Sequence, residues 1–199
     1  MRIGIFGGTF DPPHIGHLIL ADEARYSLDL DQVLFVLTPN PPHKKDLSLT
    51  PVNFRLEMLA SALNGEPAFV LSRIDLDRSP PHYALDTVKL IRQNMPGSTL
   101  VYLMGGDSLQ DLPTWHQPEE FVAACDQIGV MCRPASQVEL PALELKIPGI
   151  VKKACLIEAP LLEISSSDIR RRVASGEPYR FYLTAGVWKI IHSKKLYQA

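Results

Sequence analysis

The sequence predicts a doubly wound parallel α/β sheet, and three observations support this fold class. Short apolar runs alternate with segments of helical periodicity along the chain. The 199 residues are 46% hydrophobic, which suits one α/β domain with a sizeable core. A glycine-rich turn follows the first apolar run and opens into a helical pattern. We therefore expect one Rossmann-like domain over residues 1–199, with a small helical subdomain near residues 180–199.

Six strands and six helices are predicted from these patterns. The strands are Ile3–Phe6, Val33–Leu37, Phe69–Ser72, Leu100–Met104, Ile128–Cys132 and Ala154–Ile157. The helices are Gly16–Ser27, Asn53–Leu63, Ala84–Asn94, Pro118–Ala124, Ser166–Ser175 and Thr184–Ser193. Prolines interrupt residues 135–150, which we expect to be an insertion or a mobile loop.

Composition limits the classes of partner and the location. The formal net charge is −2, so a general polyanion-binding surface and a nucleic-acid partner are not expected. No apolar run reaches the ~18 residues of a membrane span, so no membrane partner is expected. The three cysteines lack Cys-x-x-Cys spacing, and the chain begins directly with a strand rather than a signal peptide. These features predict reduced, mostly buried thiols in a cytoplasmic protein, and they do not decide between a monomer and a homodimer.

The most informative segment is residues 7–17, Gly-Gly-Thr-Phe-Asp-Pro-Pro-His-Ile-Gly-His. It lies at the carboxyl end of the first predicted strand, where open α/β sheets bind nucleotides. Gly7 and Gly8 allow a phosphate to approach the backbone, and the following helix offers free N–H groups. His14 and His17 are three residues apart, so both imidazoles face the same side and can donate hydrogen bonds to phosphate oxygens.

Three other interpretations fit this segment less well: a metal pair, a Walker loop and the dinucleotide glycine pattern. His14 and His17 could be a metal pair, although no cysteine or carboxylate stands at a suitable distance to complete the site. The segment lacks the terminal Lys and Ser/Thr of a Walker loop, and it lacks the spacing of the dinucleotide glycine pattern.

The eleven-residue string resembles the signature of the nucleotidyltransferase superfamily, whose members carry His-x-Gly-His after the first strand. Residues 164–170, Ile-Ser-Ser-Ser-Asp-Ile-Arg, resemble the superfamily's Ile-Ser-Ser-Thr-x-x-Arg motif, which grips the triphosphate. The resemblance implies Mg²⁺ accompanying ATP. The implied ATP-binding residues are Gly7, Gly8, Thr9, Phe10, His14, His17, Gly105, Asp107, Ile164, Ser165, Ser166 and Arg170.

Later loops resemble one family within this superfamily, the bacterial nicotinate-nucleotide adenylyltransferases. Residues 41–44, Pro-Pro-His-Lys, match a family loop whose lysine helps to hold substrate phosphates, which implies that role for Lys44 and more weakly for Lys45. From the residues alone, this stretch could equally be a solvated basic loop. The implied catalytic residues are His14, His17, Lys44 and Arg170.

Two motifs follow the fourth predicted strand. Residues 105–108, Gly-Gly-Asp-Ser, resemble the family's Gly-x-Asp-Ser turn, in which Asp107 can accept from ribose hydroxyls or support a metal-bound water. Alternatively, Asp107 or Ser108 caps the next helix. Trp115 follows in Leu-Pro-Thr-Trp as an expected exposed ring. The resemblance implies that it stacks on the pyridine ring, and the alternative is a Trp packed beneath the loop. Trp188 is expected in the core.

The remaining substrate contacts implied by the resemblance depart in part from the family pattern. Residues 82–87 resemble Ser-Tyr-Thr-x-x-Thr, but His82 replaces the Ser and Ala84 replaces the Thr. His116 stands where many relatives have Tyr. The implied substrate-binding residues are Thr9, Lys44, Tyr83, Ala84, Thr87, Trp115, His116 and Arg133.

Arginines form the last group of candidates. Arg133 and Pro134 follow the fifth predicted strand and match the family's Arg-Pro step. Arg133 is expected either near the substrate phosphate or in an ion pair with a carboxylate. In the run 170–172 only one arginine can face the site; the motif selects Arg170, and the other two are expected to be solvated or ion-paired.

The implied reaction is adenylyl transfer from ATP to nicotinate mononucleotide, which yields nicotinate adenine dinucleotide and pyrophosphate. The attacking phosphate is already anionic at pH 7, because its second pKa is near ~6, so no general base is required. Phosphopantetheine adenylyltransferase, glycerol-phosphate cytidylyltransferase, the nicotinamide-mononucleotide enzymes, a nucleotide sensor and a transfer-RNA synthetase fragment are less favoured alternatives. Ala84 and His116 leave the choice between nicotinate and nicotinamide open.

Overall fold

The computed structural model describes residues 1–40, 49–132, 139–160 and 162–198. Its strands form one parallel sheet in the order β3-β2-β1-β4-β5-β6. They are β1 Arg2–Gly8, β2 Gln32–Leu37, β3 Phe69–Ser72, β4 Thr99–Gly105, β5 Gln127–Cys132 and β6 Ala154–Glu158. The doubly wound fold class and all six predicted strands are therefore confirmed, and each strand differs from its predicted bounds by at most one or two residues at either end.

Nine α-helices are found in the described residues, and six of them match the predicted segments. The helices are α1 Ile15–Ser27, α2 Val52–Leu63, α3 Ala84–Asn94, α4 Gly106–Asp111, α5 Pro118–Ala124, α6 Leu140–Glu144, α7 Ile150–Lys153, α8 Ser166–Ser175 and α9 Ala185–Ser193. Short 3₁₀ turns cover Leu112–Thr114 and Arg180–Tyr182. No helix in the described ranges is long and apolar enough to cross a membrane.

Part of the segment 135–150 is helical, since Leu140–Glu144 form α6 and Ile150 begins α7. The expected mobile loop is therefore wrong over these helical residues, and the alternative of an insertion stays a prediction. Leu143, Ile147 and Ile150 are buried in the main core. The prolines did not prevent this: Pro141 lies in the first turn of α6, where the missing N–H costs nothing.

The sheet is buried on both faces because alternate residues of each strand point to opposite sides. On one face, Ile3 and Ile5 of β1 belong to a cluster that α3 and α5 cover. On the other, Val33 and Phe35 of β2 belong to a cluster that α1 and α2 cover. Continuous apolar strands follow from burial on both faces.

A third cluster joins the last helix to the rest of the chain. Met58 of α2, Ile169 of α8 and Val187 of α9 are among its buried members. Trp188 is only half-buried, which corrects its expected core position. Its ring stacks on His192 at a centroid distance of 5.3 Å, and the Arg180 guanidinium lies 4.6 Å from the ring centroid. The thiol of Cys125 is buried, whereas that of Cys155 is half-buried.

The strand order creates a switch point between β1 and β4. Chain connections run outward from these two strands in opposite directions, so their carboxyl ends leave a crevice. β1 ends at Gly8 and β4 at Gly105, which places both predicted glycine turns beside this crevice.

Candidate active site

The two motif histidines are in direct contact at the start of α1. Their rings stack with centroids 3.7 Å apart and an interplanar angle of 29°. The backbone N–H of His14 donates to Nδ1 of His17 over 3.1 Å. Because Nδ1 accepts, the proton of a neutral His17 ring lies on Nε2, which can donate to an oxygen.

His14 is held as a neutral ring by burial. Its side chain is 6% exposed, and its Nδ1 has no hydrogen-bond partner among the described residues. Burial lowers the pKa of His14 from 6.5 to about 4. A Cβ on Gly16 would lie 3.0 Å from Nδ1 of His14, so the glycine between the histidines provides the space for this ring.

Hydrogen bonds from the second motif hold the first loop. Arg170 donates from Nη1 to the carbonyl oxygen of Asp11 over 2.7 Å, and Ser166 donates from Oγ to the carbonyl oxygen of Pro12 over 2.8 Å. Ser165 is the N-cap of α8 and accepts from the N–H of Asp168 over 3.2 Å. The two motifs, about 150 residues apart in sequence, therefore meet.

The arginine run divides as predicted. Arg171 and Arg172 form ion pairs with Asp168 at 2.7 and 2.6 Å, and both also pair with Glu177. Arg170 instead donates a hydrogen bond to the Asp11 carbonyl oxygen of the first loop.

Asp11 is a site residue that the sequence analysis missed. Its side chain is 1% exposed. One carboxylate oxygen accepts from the N–H of Thr50 over 3.1 Å, and the other accepts from the hydroxyl of Tyr197 over 2.7 Å.

Arg55 was missed as well, although it joins three stretches of the site. This guanidinium is 2% exposed and donates to the carbonyl oxygens of Thr50 (2.8 Å), Thr9 (3.0 Å), Thr38 (3.0 Å) and Pro39 (2.8 Å). Burial lowers its pKa, and the nearby Asp11 carboxylate opposes that shift. The only sequence signal was a charged residue on the apolar side of a helix.

A cavity of about 790 Å³ opens at the switch point. Its lining includes many of the predicted residues: Gly7, Gly8, Thr9, Tyr83, Ala84, Thr87, Gly105, Trp115 and His116. His14, His17, Phe10, Asp107, Ile164, Ser165, Ser166 and Arg170 are not part of this lining as the described residues form it. Lys44, Lys45 and Arg133 lie outside the described residues.

Aromatic rings form one wall of the cavity. The rings of Tyr83 and His116 stack at 4.0 Å with an interplanar angle of 18°. Trp115 is half-buried rather than exposed, because its ring packs on Phe121 at 5.3 Å and on Tyr102 at 6.1 Å. One part of the Trp115 ring is therefore packed beneath the loop, as in the alternative, and the other part faces the cavity.

A buried ion pair braces this wall. Asp75 is 2% exposed, pairs with Arg78 at 2.9 Å and accepts from the hydroxyl of Thr87 over 2.7 Å. Arg78 also donates to the carbonyl oxygens of Pro81 (2.8 Å) and Tyr83 (3.1 Å). These contacts fix the start of α3, and only the spacing of Asp75 and Arg78 just after β3 hinted at them.

The capping alternative for the third motif is wrong in detail. Gly105 is the N-cap of α4 and makes no side-chain cap bond, while Asp107 lies in the first turn with an exposed side chain. The Asp107 carboxylate still interacts favourably with the positive, N-terminal end of the helix dipole. Within the described ranges, no group of three or more His, Cys, Asp or Glu side chains could hold a metal ion.

The chain is similar in sequence to known proteins. A family model described as cytidylyltransferase-like matches residues 5–172. The probable nicotinate-nucleotide adenylyltransferase of Thermomicrobium roseum is 43% identical over 197 residues, which cover 99% of this chain and 92% of that protein. The nicotinate-nucleotide adenylyltransferase of Bacillus subtilis is 36% identical, with 100% of this chain and 99% of that protein covered.

A solved structure shares the fold. Plasmodium falciparum nicotinic acid mononucleotide adenylyltransferase complexed with NaAD superposes with a TM-score of 0.79 at 22% identity. The match covers 98% of this chain and 97% of that chain.

Replacement of Arg55 is expected to destabilise the protein strongly. Arg55→Met leaves four carbonyls without their donor and removes the positive charge near the buried Asp11 carboxylate, which should lower the free energy of unfolding by about 3–5 kcal/mol. Arg55→Lys keeps the charge but has fewer donors, so it should lie between Arg55→Met and wild type. Arg73→Met is the control, because its side chain is 54% exposed in its pair with Asp77 and should cost under ~1 kcal/mol. Equal urea midpoints for Arg55→Met and Arg73→Met would contradict this role.

His14 is expected to make the protein less stable in acid. The unfolded chain takes up this proton near pH 6.5, whereas the folded protein resists it until about pH 4. The stability that the fold has with neutral His14 is fully present above pH 6.5. It falls by roughly 3 kcal/mol as the pH drops towards 4. His14→Gln should flatten this part of the urea-unfolding profile. The control His192→Gln, at an exposed position of α9, should retain the wild-type slope. A His14→Gln profile parallel to wild type would refute the assignment.

Proposed function

We propose that this chain joins ATP and nicotinate mononucleotide into nicotinate adenine dinucleotide. The chain belongs to the cytidylyltransferase-like family and, by its close relatives, to the nicotinate-nucleotide adenylyltransferases. The observation that carries the proposal is the cavity at the switch point. Its lining runs from the glycine turn after β1 to an aromatic wall at the start of α3. One end suits phosphates and the other suits a flat ring, as a pyridine mononucleotide requires.

The phosphate end is assigned to the first loop and α8. His14 and His17 lie at the start of α1, and Arg170 and Ser166 contact the same loop. The positive ends of the α1 and α8 helix dipoles add positive potential. We assign these groups, together with Lys44, to the oxygens of the triphosphate, where negative charge grows on the leaving pyrophosphate.

The ring end is assigned to Trp115, Tyr83 and His116. Trp115 offers a partly open face, and its other contacts fix its orientation. Because Ala84 has no hydroxyl, its backbone N–H is the donor that this position can offer to the substituent of the pyridine ring. Thr87 is engaged by Asp75, so we assign it to bracing this wall rather than to a direct contact.

Catalysis then consists of alignment and charge stabilisation. The phosphate of nicotinate mononucleotide attacks the α-phosphorus of ATP, the bond to the β-phosphate oxygen breaks, and pyrophosphate departs. His14, which burial keeps neutral, contributes one ring N–H donor, and Nε2 of His17 supplies another. Mg²⁺ bound with ATP would offset charge on the phosphates, with most of its ligands coming from phosphate and water. Imidazole, hydroxyl and guanidinium groups around the loop fit phosphate oxygens, and Asp107 is the carboxylate we assign to a metal-bound water.

We further propose that residues 1–199 form a single catalytic domain that acts in the cytoplasm. The cluster that joins α9 to α2 and α8 supports one domain, as does the contact of Tyr197 with Asp11. Free thiols at Cys125 and Cys155 suit a reducing compartment.

Pyrophosphate release with ATP and Mg²⁺ tests the activity. Nicotinate mononucleotide, nicotinamide mononucleotide and phosphopantetheine are offered in parallel, and the nicotinate substrate is expected to react fastest. Comparable rates with both pyridine nucleotides would make the enzyme dual-specific. Release with phosphopantetheine alone would reject the substrate assignment and keep the chemistry.

Loss of one imidazole donor is expected to slow turnover by roughly 10²–10³-fold, the usual effect of removing a donor to developing charge. His17→Ala should show this loss in kcat, with a thermal midpoint close to that of wild type. His192→Ala removes an exposed histidine of α9 and should turn over like wild type. A folded His17→Ala protein with full turnover would exclude the role.

A further inference from the structure

The hydroxyl of Tyr197 reaches the first loop from the far end of the chain. It donates to Oδ1 of Asp11 over 2.7 Å, across 186 residues of sequence, and lies 4.0 Å from Sδ of Met58. Tyr197 has a backbone φ of 62°, in the left-handed region that non-glycine residues rarely adopt. Such a conformation persists where other contacts hold it, and here the N–H of Leu196 donates to the carbonyl of Ile191 over 3.0 Å.

The hydroxyl is a permanent donor. Burial raises the pKa of Tyr197 above its usual value, and the Asp11 carboxylate raises it further. The phenol therefore stays protonated throughout the neutral range. The Asp11 carboxylate, with Thr50 on its other oxygen and Arg55 nearby, is fully occupied inside the protein.

Asp11 is rigidly connected to His14. The two residues between them are prolines, whose rings fix φ and limit the motion of the segment. The carbonyls of Asp11 and Pro12 are held separately by Arg170 and Ser166. The segment that leads into His14 is therefore anchored at two levels, through the Asp11 carboxylate by Tyr197 and Thr50 and through its main chain by Arg170 and Ser166.

We propose that Asp11 and Tyr197 form a positioning pair for adenylyl transfer, in which the tyrosine hydroxyl fixes Asp11 and so sets the orientation of the His14 ring. Neither residue lines the cavity formed by the described residues. The pair acts through His14, and this inference rests on the proposed function of that residue.

Tyr197→Phe removes the hydroxyl and keeps the ring. It should lower kcat about tenfold, the factor that one hydrogen bond of ordinary strength can account for, and leave the KM for nicotinate mononucleotide unchanged. In a His14→Ala background the same substitution should have no effect on kcat, because the group it positions is gone. Tyr26→Phe, on a side chain that is 88% exposed, is the matched control and should match wild type.

Two results would overturn the pair: wild-type kcat in Tyr197→Phe, or the same fold-loss in both backgrounds, which would indicate general destabilisation. If Tyr197→Phe fails to fold, Asp11→Asn replaces it in the same two backgrounds, with the same criteria.

If wild type itself shows no adenylyl transfer, the proposed function fails separately. The pair is then judged from the imidazole NMR signals of His14, which Tyr197→Phe should move without moving the Trp188 indole signal. Unmoved His14 signals would reject it.

Discussion

The site depends on one buried cation, Arg55. Parallel strands end with unpaired carbonyls, and the loop after β1 forms one side of the crevice at the switch point between β1 and β4. Arg55 donates to the carbonyl oxygens of Thr9, Thr38 and Pro39, so a single guanidinium ties the loops after β1 and β2 to α2. Removing such a charge from water is costly, and four well-formed hydrogen bonds and the nearby Asp11 carboxylate offset that cost.

The other functional groups are positioned relative to the loop that Arg55 fixes. Asp11 lies two residues beyond Thr9, and its carbonyl and that of Pro12 receive the donors of α8. On the opposite side of the crevice, Asp75 and Arg78 hold the start of α3 and its aromatic wall. The proposed phosphate end and the proposed pyridine end are thus each supported by a separate buried ionic group, and the sheet sets the distance between them.

Local patterns in the sequence predicted the sheet, because strand periodicity is a local signal. They also named His14, His17, Ser166 and Arg170, which the structure places on the first loop and on the helix that contacts it, and whose roles stay predictions. They did not reveal Arg55 or Tyr197, whose partners are backbone carbonyls or side chains distant in sequence. Trp115 was misjudged in part because burial on one face depends on Phe121, six residues later, and on a strand of the core. The helices α4, α6 and α7 were missed because segments of four to six residues are too short to show the helical period. Lys44 and Arg133 lie outside the described residues, so their roles stay predictions.

A crystal structure with nicotinate adenine dinucleotide bound is the most direct test of the central claim, that one crevice at the switch point holds both halves of the reaction. The account predicts the pyridine ring against Trp115 beside Tyr83, the diphosphate at the glycine turn within hydrogen-bond distance of His17, and the first loop still tied to Arg55. A dinucleotide bound away from the carboxyl ends of β1 and β4, or a pyridine ring away from the aromatic wall, would contradict it.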